Sequence, residues 1–321
     1  MKVCGRRRRV SLEGLCAVRS SVAPRLKRIK PGFYNPPGGR PVFVPGLNWL
    51  SVLLLGYRGA PTVVAMQWWT TRGEFATDRR TQQLALLVRL AQAFGRSALH
   101  IWDRGFAGAP CLGAALEQQV RFVMRWPKAY QLLSEQGQLM AAWKLARAKR
   151  SWQQRTIYDA PRRQYRKLGV LAVECAHPEY PDQSLWLVVS RPGHGRPPWY
   201  LLTNEPIFTV DDAWRVVLAY TRRWQIEMAY RFTNSELALE SPRLWRWHNR
   251  LKLLMMTTLV YAFLLSLLDP NLADLRQALL RHFCHRTGIR GQVASAPLYR
   301  LRSALSRLWL AFQSPHFQNS G

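Results

Sequence analysis

The sequence predicts an α/β fold around a sheet of mixed strand direction, and three features carry that prediction. An apolar antiparallel hairpin opens the patterned part of the chain, helices then alternate with short buried strands, and a purely β-patterned stretch precedes a helical end. The hairpin pairs Asn48 to Tyr57 with Pro61 to Thr70, both rich in Val, Leu and Trp, across Arg58-Gly59-Ala60. Leu84, Leu87, Val88 and Ala91 recur at i, i+3, i+4 and i+7, predicting an amphipathic helix that starts near Thr77-Asp78 and stops at Gly95. Ala98 to Trp102 reads as a short buried strand running into Asp103-Arg104-Gly105. A second helix, about Pro110 to Gln119, leads to the strand Val120 to Arg125.

From about 150 to 205 the pattern is β: Val170 to Glu174, Leu185 to Ser190 and Trp199 to Thr203, with a Pro/Gly-rich loop from Arg191 to Pro198. This stretch is expected to fold as an insertion with its own small sheet. Thr209-x-x-Asp212 has the spacing of a capping box and opens a long helical region. Leu253 to Leu268 is the longest apolar run; it falls short of the ~20 residues a membrane span needs and reads as a buried core helix. Leu298, Leu301, Leu305, Leu308, Trp309 and Phe312 recur at helical spacing, which favours core packing over a partner surface. Five regions follow: a basic irregular segment 1–40, the first part of the core 41–135, a β-rich insertion 136–205, helices over 206–270, and a basic helical tail 271–321.

Composition narrows the function. The 321 residues carry 47 Lys plus Arg against 18 Asp plus Glu, a net charge of +29, and are 48% hydrophobic. Most of the basic residues are Arg, whose planar fork suits phosphate oxygens, so a nucleic-acid partner is expected. The 14 Trp, 11 Tyr and 12 Phe exclude a disordered basic tail. Five dispersed cysteines without a Cys-x-x-Cys pair exclude a disulfide framework or zinc ribbon and fit a reducing cytoplasm. The motif His282-Phe283-Cys284-His285 lacks a second ligand group. Arg6 to Arg9 followed by Val10-Ser11-Leu12 resembles a twin-arginine signal only superficially, because Glu13 and Arg19 interrupt the apolar segment. A soluble protein without a membrane partner is expected.

With acids scarce, their placement is informative. Asp103 ends a short apolar strand, where α/β sheets present functional side chains, although a turn Asp capping the next helix has the same signature. Tyr220, Arg223, Glu227 and Asn234, at 100° per residue, fall within a sector of roughly 60° if one helix is continuous. Arg231 joins that stripe, so Glu227 has an arginine one turn before it and another one turn after. Ordinary surface pairing also produces such spacing. Carboxylates on separate elements, with Arg and Tyr beside them, suit two-metal phosphodiester cleavage.

The run Tyr-Thr-Arg-Arg-Trp-Gln-Ile-Glu, with Tyr220-x-x-Arg223-x-x-x-Glu227 inside it, resembles the signature of insertion-sequence DDE transposases, most closely the group named after insertion sequence four. The Trp68-Trp69 strand, Asp103-Arg104-Gly105-Phe106 and Leu201-Leu202-Thr203 extend the resemblance over roughly 40–270. It implies a ribonuclease-H-like core with two Mg²⁺ or Mn²⁺ ions, strand hydrolysis at element ends, and attack of the freed 3′-OH on target DNA. Asp103 and Glu227 would be metal ligands and catalytic, and Tyr220, Arg223, Arg231 and Asn234 would contact DNA. Double-stranded DNA would be the partner, bound by a homodimer across paired ends in the bacterial nucleoid.

Two departures stand out. Asn234 occupies the position where the signature closes with Lys, and Arg231 is the candidate to supply that charge. The family's first Asp has no counterpart: no Asp precedes Asp78, and the only earlier acids are Glu13 and Glu74. Asp78 reads as a helix start and Glu13 lies in a weakly patterned basic segment. The expectation is therefore an N-terminally truncated or frame-shifted transposase that lacks the first ligand and its central strand. The alternative is a non-catalytic DNA-binding remnant or inhibitor. A basic RNA-binding structural protein is disfavoured because stacking-aromatic RNA motifs are missing.

Overall fold

The computed structural model describes residues 14–23, 31–34, 42–45, 47–56, 61–71, 76–159, 164–193, 197–237, 244, 246–284 and 298–312. The strands are β1 (Gly14–Ala23), β2 (Pro31–Tyr34), β3 (Val42–Pro45), β4 (Leu47–Leu55), β5 (Thr62–Trp69), β6 (Ala98–Trp102) and β7 (Arg121–Arg125), followed by β8 (Gln131–Ser134), β9 (Leu139–Ala141), β10 (Gln153–Asp159), β11 (Gln164–His177), β12 (Tyr180–Pro192) and β13 (Trp199–Thr203). The helices are α1 (Arg79–Phe94), α2 (Ala109–Glu117), α3 (Ala142–Ala146), α4 (Val210–Thr221), α5 (Trp224–Ser235), α6 (Trp247–Ser266), α7 (Ala273–Phe283) and α8 (Leu298–Phe312).

Eleven strands form one mixed sheet in the order β5-β4-β1-β6-β7-β13-β12-β11-β8-β9, with β10 on β11, while β2 and β3 pair separately. The antiparallel β4–β5 hairpin, α1 with its Asp78 cap and Gly95 stop, and the alternation through β6, α2 and β7 match the sequence pattern. β6 is buried along its whole length. Its alternate residues feed two cores: Leu99 and Ile101 join Trp49, Leu53, Val123 and Leu201 under α4, α5 and α6, whereas Ala98 and Trp102 join Leu50, Phe122, Met124 and Leu202 under α1, α2 and α3. Burying each such side chain contributes about 1.5–3 kcal/mol.

Four expectations need correction. The central strand is present. β1 runs antiparallel to β4 and parallel to β6, with Val18 opposite both Val52 and Trp102. The arginines at 6–9 drew attention from a strand that begins five residues later, in a segment expected to be irregular. Second, the β-patterned stretch does not fold as a separate sheet. β13 pairs antiparallel with β7, and the interval 136–205 also contains α3. Both faces of β11 to β13 are apolar, so they extend the main core instead of closing on themselves. Thr203 and Asn204 fasten this junction: the Thr203 hydroxyl donates to Phe122 O, and Asn204 accepts from Phe122 N and donates to Val120 O.

Third, the stripe of Tyr220 to Asn234 is not on one continuous helix. α4 ends at Thr221, α5 starts at Trp224, and the joint carries i→i+3 bonds from Arg223 N to Tyr220 O and from Ile226 N to Arg223 O. No Gly or Pro marks it in the sequence. Fourth, α6 is buried on one side only. Leu254, Tyr261, Leu264 and Leu265 face the core, while Met255, Met256, Leu259 and Phe263 are exposed. In α8, Leu301 and Ala304 are buried, whereas Trp309 and Phe312 are exposed. No single helix among the described residues is long and apolar enough to cross a membrane.

Candidate active site

Asp103 stands one residue past β6, at its C-terminal end, in extended conformation. Its Oδ1 accepts from the Gly105 amide at 2.8 Å and so caps the single 3₁₀ turn Arg104–Phe106. Glycine is needed here by close approach, since a Cβ at position 105 would lie 3.0 Å from that same oxygen. The turn role expected for Asp103 is therefore real, and it also fixes where the carboxylate sits.

The strand register places arginines on both sides of it. Val18, Trp102 and Met124 are partners across β1, β6 and β7. One residue further on, Arg19, Asp103 and Arg125 are neighbours on three adjacent strands, flanked by Ser51 and Leu201. By alternation this row belongs to the sheet face covered by α4 and α5.

The helices bring the other groups. The Thr209–Asp212 capping box starts α4: Asp212 N donates to Thr209 Oγ1 at 3.2 Å, and Thr209 N to Asp212 Oδ2 at 2.8 Å. Its last turn carries Tyr220, 3% exposed, whose hydroxyl has no hydrogen-bond partner among the described residues. Trp199 of β13 packs edge-on against Tyr220 at 5.3 Å, with the Arg125 guanidinium 5.9 Å from the Trp199 ring centroid. α5 is seated by Tyr230, which stacks on Trp49 of β4 at 5.3 Å and 7°.

Arg223 lies at the joint between the helices and connects these parts. Its guanidinium is 5.7 Å from the Tyr220 ring centroid, and Nη2 donates to Glu227 Oε1 at 2.6 Å. Burial alone would lower the pKa of Arg223, but the Tyr220 oxygen, the Glu227 carboxylate and the Asp103 carboxylate outweigh it, so the net shift is upward. Asp103 and Glu227, distant in sequence, thus act on one guanidinium. Arg231 is exposed on α5, and Asn234 falls in the last turn of that helix. Asp78 is used as the α1 cap; the Thr81 hydroxyl and the Thr81 and Arg80 amides donate to it and hold its carboxyl below its usual range. Glu13 lies outside the described residues.

The family model for the transposase DDE domain matches residues 76–263, a span that includes Asp103, Tyr220, Arg223 and Glu227. The chain belongs to that family. The transposase is also similar to a piggyBac transposase whose cryo-EM structure is a synaptic complex with hairpin DNA. The two are 12% identical with a TM-score of 0.48, and the match covers 94% of this chain and 54% of that one. The chain therefore spans about half the length of that protein. No curated protein matches the transposase.

DDE transposase domains generally use divalent metal ions, and the residues present do not fit a two-metal site. Only Asp103 and Glu227 approach it. One oxygen of each is engaged, by the Gly105 amide and by Arg223 respectively. The register neighbours of Asp103 are arginines, and among the described residues no group of three or more His, Cys, Asp and Glu side chains is placed to hold a metal ion. What this edge does offer is guanidinium groups whose planar fork matches phosphate oxygens. Arg19, Arg125 and Trp199 were not singled out from the sequence. Arg125 could have been, because it ends the strand after Asp103 in a parallel pair.

Proposed function

We propose that this chain is a DNA transposase of the insertion-sequence-four type, with a ribonuclease-H-like core, in which metal-dependent strand cleavage is impaired. The order β5-β4-β1-β6-β7, antiparallel on one side of β1 and parallel on the other, supports that core. The observation that carries the reading is the meeting of Asp103 and Glu227 on Arg223, within the family-matched span and with no third acid beside them. The impairment is thus one of a missing ligand and not of a missing strand. Double-stranded element ends and target DNA are the partners, bound by a homodimer at the bacterial nucleoid. The net charge of +29 supports a polyanionic partner.

Fluorescence anisotropy on duplex DNA, repeated across a salt series with and without Mg²⁺, tests this. Affinity is expected to fall steeply with salt, by about 10³-fold or more between 50 and 200 mM if six or more phosphates are neutralised. A flat salt response would refute DNA handling. Nicking that requires Mg²⁺ and disappears in Asp103→Ala or Glu227→Ala would show that cleavage is intact.

A further inference from the structure

We propose that this sheet edge holds a DNA phosphate directly on arginine, in the place where a divalent cation would otherwise sit, and that Arg19 decides between the two. The inference rests on the reading that the chain handles DNA. It starts from three adjacent strands. β1 lies between β4 and β6, and its register sets Arg19 beside Asp103 on one side and Ser51 on the other. Arg125 occupies the equivalent place on β7. With Arg223 above this row, three arginine positions surround two carboxylates.

Charge then decides the occupant. A divalent cation entering here would meet guanidinium groups from β1, β7 and the α4–α5 joint, and like charges at such range repel strongly in a partly buried site. A phosphate meets the reverse field. Glu227 and Asp103 keep Arg223 charged and oriented, Glu227 by the 2.6 Å bond, while Trp199 and Tyr220 lie against the Arg125 and Arg223 guanidinium groups. In this arrangement the carboxylates are positioning residues for arginine.

An aspartate at position 19 would replace a positive with a negative charge on the strand next to Asp103 and supply a third carboxylate to the same face. Mn²⁺ and Mg²⁺ favour such hard oxygen donors. One substitution should therefore exchange one ligand for the other.

The test is a Mn²⁺ titration of the full chain, without DNA, read by the loss of the free-ion electron paramagnetic resonance signal. Duplex anisotropy with and without EDTA runs in parallel. The wild-type chain should bind no Mn²⁺ in an Asp103-dependent manner, and EDTA should leave its duplex affinity unchanged. Arg19→Asp should gain Mn²⁺ affinity by roughly 100-fold, as expected for reversing one charge near the ion. Adding Asp103→Asn to it should remove the gain. An Asp103-dependent Mn²⁺ site in the wild type, or a folded Arg19→Asp chain with no gain, overturns the proposal. Should Arg19→Asp fail to fold, Arg19→Gln is the arm that decides: weakened duplex binding with no Mn²⁺ site supports the proposal, and unchanged duplex affinity overturns it. A wild-type chain that binds no duplex at all refutes the DNA reading, and with it the phosphate ligand, while the Mn²⁺ arms still report on Arg19.

Discussion

Strand β6 presents two solutions to placing an ionisable group near the middle of a sheet. On the face covered by α1 and α2, His100 is wholly buried and neither ring nitrogen has a hydrogen-bond partner among the described residues. Burial draws its pKa down to about 4, so it remains neutral at ordinary pH. On the opposite face, just past the strand, Asp103 lies within reach of Arg223, which remains charged because two carboxylates face it. One face removes charge by desolvation and the other retains it by pairing. The lesson is that a core tolerates a silent histidine, whereas a ligand-facing edge needs its charges kept and aimed.

The largest expected effect comes from unseating the charged face. Trp49 is fully buried and stacked on Tyr230, so Trp49→Ala should cost about 3–5 kcal/mol in urea unfolding. Duplex affinity should fall as well, since α5 loses the contact that seats Glu227 over β4. Retained affinity would show that the site does not depend on this stack.

His100 sharpens the other half. Its folded pKa lies below the unfolded value near 6.5, so the unfolded chain binds the proton more readily and stability rises with pH through this window. Stability should therefore be lost as pH falls from about 6.5 toward 4, by on the order of 3 kcal/mol from this residue. His100→Leu should flatten that acid limb in a series of melts, and an unchanged slope would mean the histidine is not the titrating group.

The smallest effect is at the entrance to α4. Thr209→Ala removes the hydroxyl that caps Asp212 N and should cost about 1 kcal/mol without changing duplex affinity. A change in affinity would tie the start of α4 to the site.

Local pattern was enough for much of this molecule. Ala98 to Trp102 and Trp199 to Thr203 were legible as strands because each is a compact apolar run, and α1 because Asp78 and Gly95 bracket its periodicity. β1 was not legible, since Arg19, Ser20 and Ser21 dilute its apolar residues and the strand was sought through an acid it does not carry. The joint at Arg222–Arg223 was hidden too: a switch to i→i+3 bonding needs no breaker residue. In the site, Asp103, Tyr220, Arg223 and Glu227 were singled out by composition and spacing, and the structure brings them together. Arg19 and Arg125 depend on register between strands remote in sequence, which no local window contains.

That remoteness also bears on how the chain reaches its native state. β1 takes its hydrogen bonds from 47–55 on one side and from 98–102 on the other. The strand emerging first from the ribosome therefore cannot complete its ladder until β6 has been synthesised, and both loops must close before it is held. Such high contact order slows folding, and until then both edges of β1 stay open to pairing with other chains. Of all the strands around the site, the one that carries Arg19 thus has the longest exposure to misassembly.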